Sequence, residues 1–117
     1  KNKQADTTNG TWTRPLIQSG IGRVVSGAGA AYQQEFVTFP VAFKTGTIPT
    51  IVANSIGYRP SGSTYDPSAI VDLTWSKFSV SAVKPQATGF NAYVNRFDGA
   101  GMSDDYYYSW IAIGETT

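Results

Sequence analysis

Tyr106-Tyr107-Tyr108-Ser109-Trp110-Ile111-Ala112-Ile113-Gly114 is the stretch that decides the fold. At a period of two it puts Tyr107, Ile111 and Ile113 on one face and Tyr108, Trp110 and Ala112 on the other. Aromatic and β-branched side chains pack well on a pleated surface, so the segment is predicted as a strand. Both of its faces are apolar or aromatic. One can cover a core, and the other is either an ordinary ring-bearing sheet surface or a meeting place for a second copy, from which a small domain gains stability.

Working outward, Phe90 to Phe97 alternates in the same way, with Phe90, Ala92 and Val94 on one face and Asn91, Tyr93 and Asn95 on the other. Further strands are expected from Leu16 to Val25, Gln33 to Phe43 and Ile48 to Tyr58. Ile70 to Trp75 and Lys77 to Val83 read as one long strand or a bent pair. Gly20 and Gly22 predict a bulge or close packing in the first strand. Val37, Phe39, Val41 and Phe43 keep the period across Pro40, which sets that strand at an edge or kinks it. Thr45-Gly46 reads as a turn, Arg59 to Ser68 as a surface loop, and Asp98 to Asp105 as a long turn. No segment has the pattern of a long amphipathic helix. The expected fold is all-β, a small antiparallel β-sandwich of about six or seven strands.

Composition excludes much. The 117 residues are 41% apolar and 14% aromatic, enough for one core. With no cysteine there is no disulfide framework and no thiolate metal site. With no histidine, the commonest general base near neutral pH and the commonest metal ligand are both missing. Nine basic and eight acidic residues give a net charge of +1 without a basic stripe, so no nucleic-acid partner is expected. No stretch approaches the roughly 20 apolar residues of a membrane span, so no membrane insertion by a helix is expected. The polar run Lys1–Thr11 reads as a flexible connector to something upstream, and the absence of an initiator Met suggests a piece of a longer protein. Residues 12–117 then form the folded domain.

Catalysis finds little support. Asp98 and Asp104 bracket one loop, but Asp104 and Asp105 are adjacent and would point apart in an extended segment. A serine nucleophile would have to use Lys44, Lys77 or Lys84 as its base. Gly27-Ala28-Gly29 lacks the Lys-Ser/Thr of a phosphate loop. The chain is therefore expected not to be an enzyme. No cofactor and no metal are expected, although the oxygens of the 98–105 loop are of the type a hard cation takes. Rings with polar neighbours suit sugars instead, since a pyranose stacks an apolar face on an aromatic while its hydroxyls hydrogen-bond to Asp, Asn or Arg. The candidate ligand-binding residues are Tyr58, Arg59, Tyr65, Asp66, Trp75, Asn95, Arg96, Asp98, Asp104 and Tyr106. Trp75 also reads as core, in register with Val71 and Leu73, and Arg96 and Asp98 also read as a cross-turn ion pair. Trp12, Tyr93, Tyr108 and Trp110 are candidates for assembly contacts, with Trp110 reading equally as core.

Phe90-Asn91-Ala92-Tyr93-Val94, the Gly-rich turn after it, and Tyr107-Tyr108-Ser109-Trp110-Ile111-Ala112-Ile113-Gly114 resemble the end of bacteriophage tail-fibre proteins. Phe36-Val37-Thr38-Phe39-Pro40-Val41-Ala42-Phe43, followed by Ile48-Pro49-Thr50-Ile51, resembles the matching earlier block. The likeness runs from Leu16 to Gly114 and is to the C-terminal receptor-binding domain, whose fold is similar to the H-type lectins. It implies a homotrimeric tip at the distal end of a virion fibre. The implied ligand is bacterial surface polysaccharide or lipopolysaccharide, with an outer-membrane protein as a further candidate partner. H-type lectins bind sugar near the junction of neighbouring subunits, and no local motif transfers their ligand residues one by one. The other readings are a structural trimerisation cap, a depolymerase and a free-standing lectin.

Overall fold

The computed structural model describes residues 14–25, 32–71, 78–96 and 104–117. Among them run six strands: β1 (Pro15–Val24), β2 (Tyr32–Thr38), β3 (Thr50–Pro60), β4 (Phe78–Gln86), β5 (Gly89–Arg96) and β6 (Asp104–Glu115). They form two three-stranded antiparallel sheets, ordered β1-β6-β3 and β2-β5-β4. The small antiparallel sandwich is borne out. The two segments with the clearest alternation, β5 and β6, are the central strands. The expected connector, and with it Trp12, Trp75 and Asp98, lies outside the described residues.

The inward faces meet as a ring-rich core of Tyr106, Tyr108, Trp110 and Ala112 from β6 and Phe90, Ala92 and Val94 from β5, closed by Val24, Phe39, Phe43 and Phe78. Trp110 packs on Phe39 at 5.6 Å and meets Phe90 edge-on at 5.7 Å, and Tyr106 lies 4.4 Å from Phe78 between ring centroids. Such pairs contribute about 0.5–1.5 kcal/mol each beyond their burial. This packing corrects two expectations and decides a third. Tyr106 is wholly buried rather than open to a ligand, Tyr108 is buried within one chain rather than between copies, and Trp110 takes the core reading.

β1 makes room for these rings. Gly20 stands opposite Trp110 and Gly22 opposite Tyr108. A Cβ on Gly22 would sit 2.2 Å from the Tyr108 hydroxyl oxygen, and one on Gly20 would sit 2.8 Å from Trp110 Cζ2. The pairing of β1 with β6 is unbroken, so these glycines serve close packing rather than a bulge. The irregularity falls in β3 instead, between Ser55 and Gly57.

A second correction concerns residues 33–43. The strand ends at Thr38, not Phe43. Pro40 has no N–H to continue a ladder. The chain crosses instead to the other sheet, fastened by Phe39 N–H to Thr88 O and Phe43 N–H to Ala87 O, both 2.9 Å. Phe39 and Phe43 enter the core while Val41 turns to solvent. The Gln18 amide holds Val41 from both sides, donating to its carbonyl at 2.7 Å and accepting from its N–H at 2.8 Å.

Candidate functional site

After β3 the chain doubles back at one end of the β1-β6-β3 sheet. It returns to pair with β3 at Val71, whose N–H donates to Tyr58 O at 2.8 Å. Basic and aromatic side chains of the strands hold the intervening loop down. Arg59 Nη1 donates to Thr64 O at 2.6 Å and Arg23 Nη1 to Ser63 O at 2.9 Å. The Tyr107 hydroxyl accepts from Asp66 N–H at 3.0 Å. Tyr65 then lies stacked on Tyr107, with ring centroids 5.6 Å apart, and donates its own hydroxyl to Ile21 O at 2.8 Å. The Arg23 guanidinium is 5.8 Å from the Tyr65 centroid. Tyr107 is fully buried under this arrangement, and Tyr65 stays 49% exposed. A ring is thus fixed at the surface by contacts made on its protein side.

The charges around it are ordered. Asp66 caps the 3-10 turn Pro67–Ala69, its Oδ1 accepting from Ser68 Oγ at 2.6 Å and Ser68 N–H at 3.1 Å. Those two bonds, with Arg59 nearby, hold its carboxyl below the ordinary range. Asp105, 1% exposed, has Oδ2 4.0 Å from Arg23 Nη1. Asp104 is pushed up chiefly by partial burial, with Arg96 opposing the shift and Asp105 adding to it. Arg96 ends β5 and Asp104 starts β6, so their attraction spans the two sheets.

Of the sequence candidates, Arg59, Tyr65 and Asp66 converge in one patch, with Arg96 and Asp104 at the same end of the sandwich. Tyr58 packs against the core. Asn95 projects from β5 on the opposite sheet, in register with Tyr32. Tyr93 lies on that same outer face, stacked with Tyr32. Sequence reasoning missed Arg23, which anchors the loop together with Tyr107 and Arg59. The available signal was its position: Arg23 follows Ile17, Ser19 and Ile21 at the end of the outward run of β1, as the one charged residue of that run.

That stripe is a second feature of this sheet. Ile17, Ile21, Val52 and Ile111 point outward and are 66, 44, 65 and 51% exposed, with Ile113 half-buried beside Ile17. Val52 and Ser19 flank Ile111 in register. The outward positions between the Arg23 end and the Glu115 end carry no charge.

No family model and no curated protein matches the chain. Among solved structures it is similar to discoidin II of Dictyostelium discoideum, with a TM-score of 0.60 and 17% identity over 88% of this chain and 38% of that one. It is also similar to an N-truncated R1-type pyocin tail fibre, with a TM-score of 0.54 and 22% identity over 86% of this chain and 70% of that one. A larger C-terminal fragment of the P. aeruginosa R1 pyocin fibre matches at a TM-score of 0.50 and 20% identity, over 86% of this chain and 23% of that one. The chain spans less than half the length of the discoidin II it matches. The sandwich is therefore a fold found both in discoidin II and in a pyocin tail fibre.

Proposed function

We propose that this domain is a non-enzymatic receptor-binding tip of a phage-type tail fibre, acting outside the cell as a homotrimer that binds bacterial surface glycan. The observation that carries this reading is the half-exposed Tyr65 ring held on Tyr107 beside Arg23 and Asp66. A sugar ring stacks its C–H face on such a tyrosine while the flanking carboxylate and guanidinium bond its hydroxyls. The fold shared with a pyocin tail fibre supports the setting. The uncharged aliphatic face of β1-β6-β3 supports assembly: each of its half-exposed side chains is worth roughly 1–2 kcal/mol when removed from water, and three copies can turn this face toward a common axis. The Tyr65 patch adjoins that face, so neighbouring copies would flank the ligand. Three weak sites per fibre gain affinity through multivalency.

The test is binding of the purified domain to lipopolysaccharides and capsular polysaccharides of host strains. A trimer that binds one of them without shortening it, and that loses at least tenfold in affinity on Tyr65→Ala at unchanged mass, is the expected result. A second reading, a structural cap that only trimerises the fibre, is favoured by the aliphatic face alone. A trimer that binds no polysaccharide, with a fibre lacking the domain still adsorbing to cells, would establish the cap and remove the receptor role.

A further inference from the structure

The outer face of the β2-β5-β4 sheet has a chemistry unlike that of the β1-β6-β3 face. Tyr32 and Tyr93 lie parallel within 9°, with ring centroids 5.4 Å apart, an offset stack. Tyr32 is half exposed. Farther along β2, Phe36 is also half exposed, and its ring lies across the start of β5, where Gly89 has no side chain. A Cβ on Gly89 would come 2.7 Å from Phe36 Cε2 and Cζ. The glycine lets the ring lie down on the sheet and leaves its outer side to solvent. Along the strand, Tyr32 and Phe36 are four positions apart, a span of about 13 Å, longer than one sugar ring. Gln34 stands between them on β2, and Asn91 stands opposite Phe36 on β5. The outward positions of β2 and β5, and of β4 from Ser79 to Val83, carry no charged residue.

We infer that this face is a second glycan-binding site, a platform for several consecutive residues of an uncharged, extended polysaccharide. Ring faces spaced along one strand stack against successive sugars, and the amides between them exchange hydrogen bonds with hydroxyls. A charged polymer would find no counter-charge among these positions, the nearest along β4 being exposed Lys84 just past Val83. A second copy of the chain is the poorer occupant, because docking it would desolvate the amides between the rings, each of which would then need a partner. The inference rests on the glycan reading of the domain but not on the Tyr65 patch. In the assembled fibre, one polysaccharide chain would be held along the side of the sandwich as well as at its end.

The experiment is a two-dimensional amide NMR titration of the wild-type domain with delipidated, neutral O-polysaccharide, run once with long chains and once with fragments of one repeat unit. Mass is followed by light scattering throughout. Shifts at Tyr32, Gln34, Asn91 and Tyr93 that appear with long chains are the expected outcome. Tyr32→Ser with Phe36→Ser should then weaken long-chain binding at least tenfold and leave one-repeat fragments bound as before. Shifts confined to the Tyr65 loop would overturn this inference and leave the receptor reading standing. Shifts at the platform alone would support it and displace the Tyr65 patch. No shift anywhere would overturn both. A drop in oligomeric mass on Tyr32→Ser would make this face a contact between copies, which would also sink the proposal.

Discussion

The two sheets turn inward the same kind of face and outward very different ones. Inside, both contribute rings and small residues, and Trp110 of one lies against Phe90 of the other. Outside, β1-β6-β3 presents Ile17, Ile21, Val52 and Ile111, whereas β2-β5-β4 presents Tyr32, Phe36 and Tyr93 among Gln34, Asn91 and Asn95. Aliphatic side chains gain only by leaving water, which suits a copy of the same surface. Rings set among amides offer stacking while keeping their polar neighbours hydrogen-bonded, which suits a hydroxylated ligand. The inward positions hold the sandwich together, and in the reading proposed here the outward positions divide its surface into a face for assembly and a face for ligand.

The most severe way to break that contrast is Ile111→Asp. The residue is central in the aliphatic face, so the substitution brings one carboxylate per copy into the proposed contact, where burying an unpaired charge is costly. Sedimentation or light scattering should show complete loss of the trimer, with the β-sheet circular dichroism of the monomer retained. Ser81→Asp, on the other sheet's outer face, should leave the mass unchanged. A trimer that survives Ile111→Asp would mean the aliphatic face is not where copies meet.

Next in size is Gly22→Ala, which tests what keeps the rings inside. The added methyl would overlap Tyr108 at 2.2 Å, and forcing extra volume into a packed core costs about 1–3 kcal/mol. Urea denaturation should show the midpoint falling accordingly. A variant as stable as the wild type would show that β1 does not clamp the Tyr108 ring.

These two sites also show what the sequence made legible. Strict alternation in 90–97 and 106–114 revealed both segments as strands and sorted their residues into two faces, but with both faces of 106–114 apolar or aromatic it did not say which one is inward. It misled where one periodicity hid two structures: Phe39 and Phe43 keep an inward spacing after the strand has ended at Thr38, since Pro40 ends the ladder without ending the core. Aromatic residues in the closing strand suggested assembly at Tyr108 and Trp110, and only the facing glycines of β1 reveal that those rings have a place within the chain. Tyr65, Asp66 and Arg59 were legible because a Ser/Gly/Pro loop has few other reasons to hold a ring beside charges. Their anchors, Arg23 and Tyr107, belong to distant strands, and only the register brings them together.

A smaller effect separates the Tyr65 patch from the aliphatic face it adjoins. Tyr107→Phe keeps the ring under Tyr65 but removes the hydroxyl that receives Asp66 N–H. The loss of one such bond costs about 1 kcal/mol. Thermal unfolding should fall by a few degrees and glycan affinity by several-fold, with the trimer intact. Unchanged affinity would mean that the loop is held well enough by Arg23 and Arg59 alone.

The last effect, read through its dependence on pH, concerns a bond that ties the two sheets together. The Tyr108 hydroxyl of β6 donates to Glu35 Oε2 of β2 at 2.7 Å. Burial raises the phenol above its ordinary value near 10, and the neighbouring carboxylate adds to the shift. The folded chain therefore keeps a proton that the unfolded chain releases once the pH passes about 10. This contribution to stability is complete below that pH and declines as the pH climbs beyond it. Urea midpoints measured from pH 8 to 11 should fall in the alkaline half of that range, and the fall should be shallower in Tyr108→Phe. At pH 8 the variant itself should be weaker by roughly 1–2 kcal/mol, because Glu35 loses its donor. Equal alkaline slopes in the two proteins would mean that the phenol titrates alike in the folded and unfolded chains, and that the tie between the faces lies in ring packing rather than in this bond.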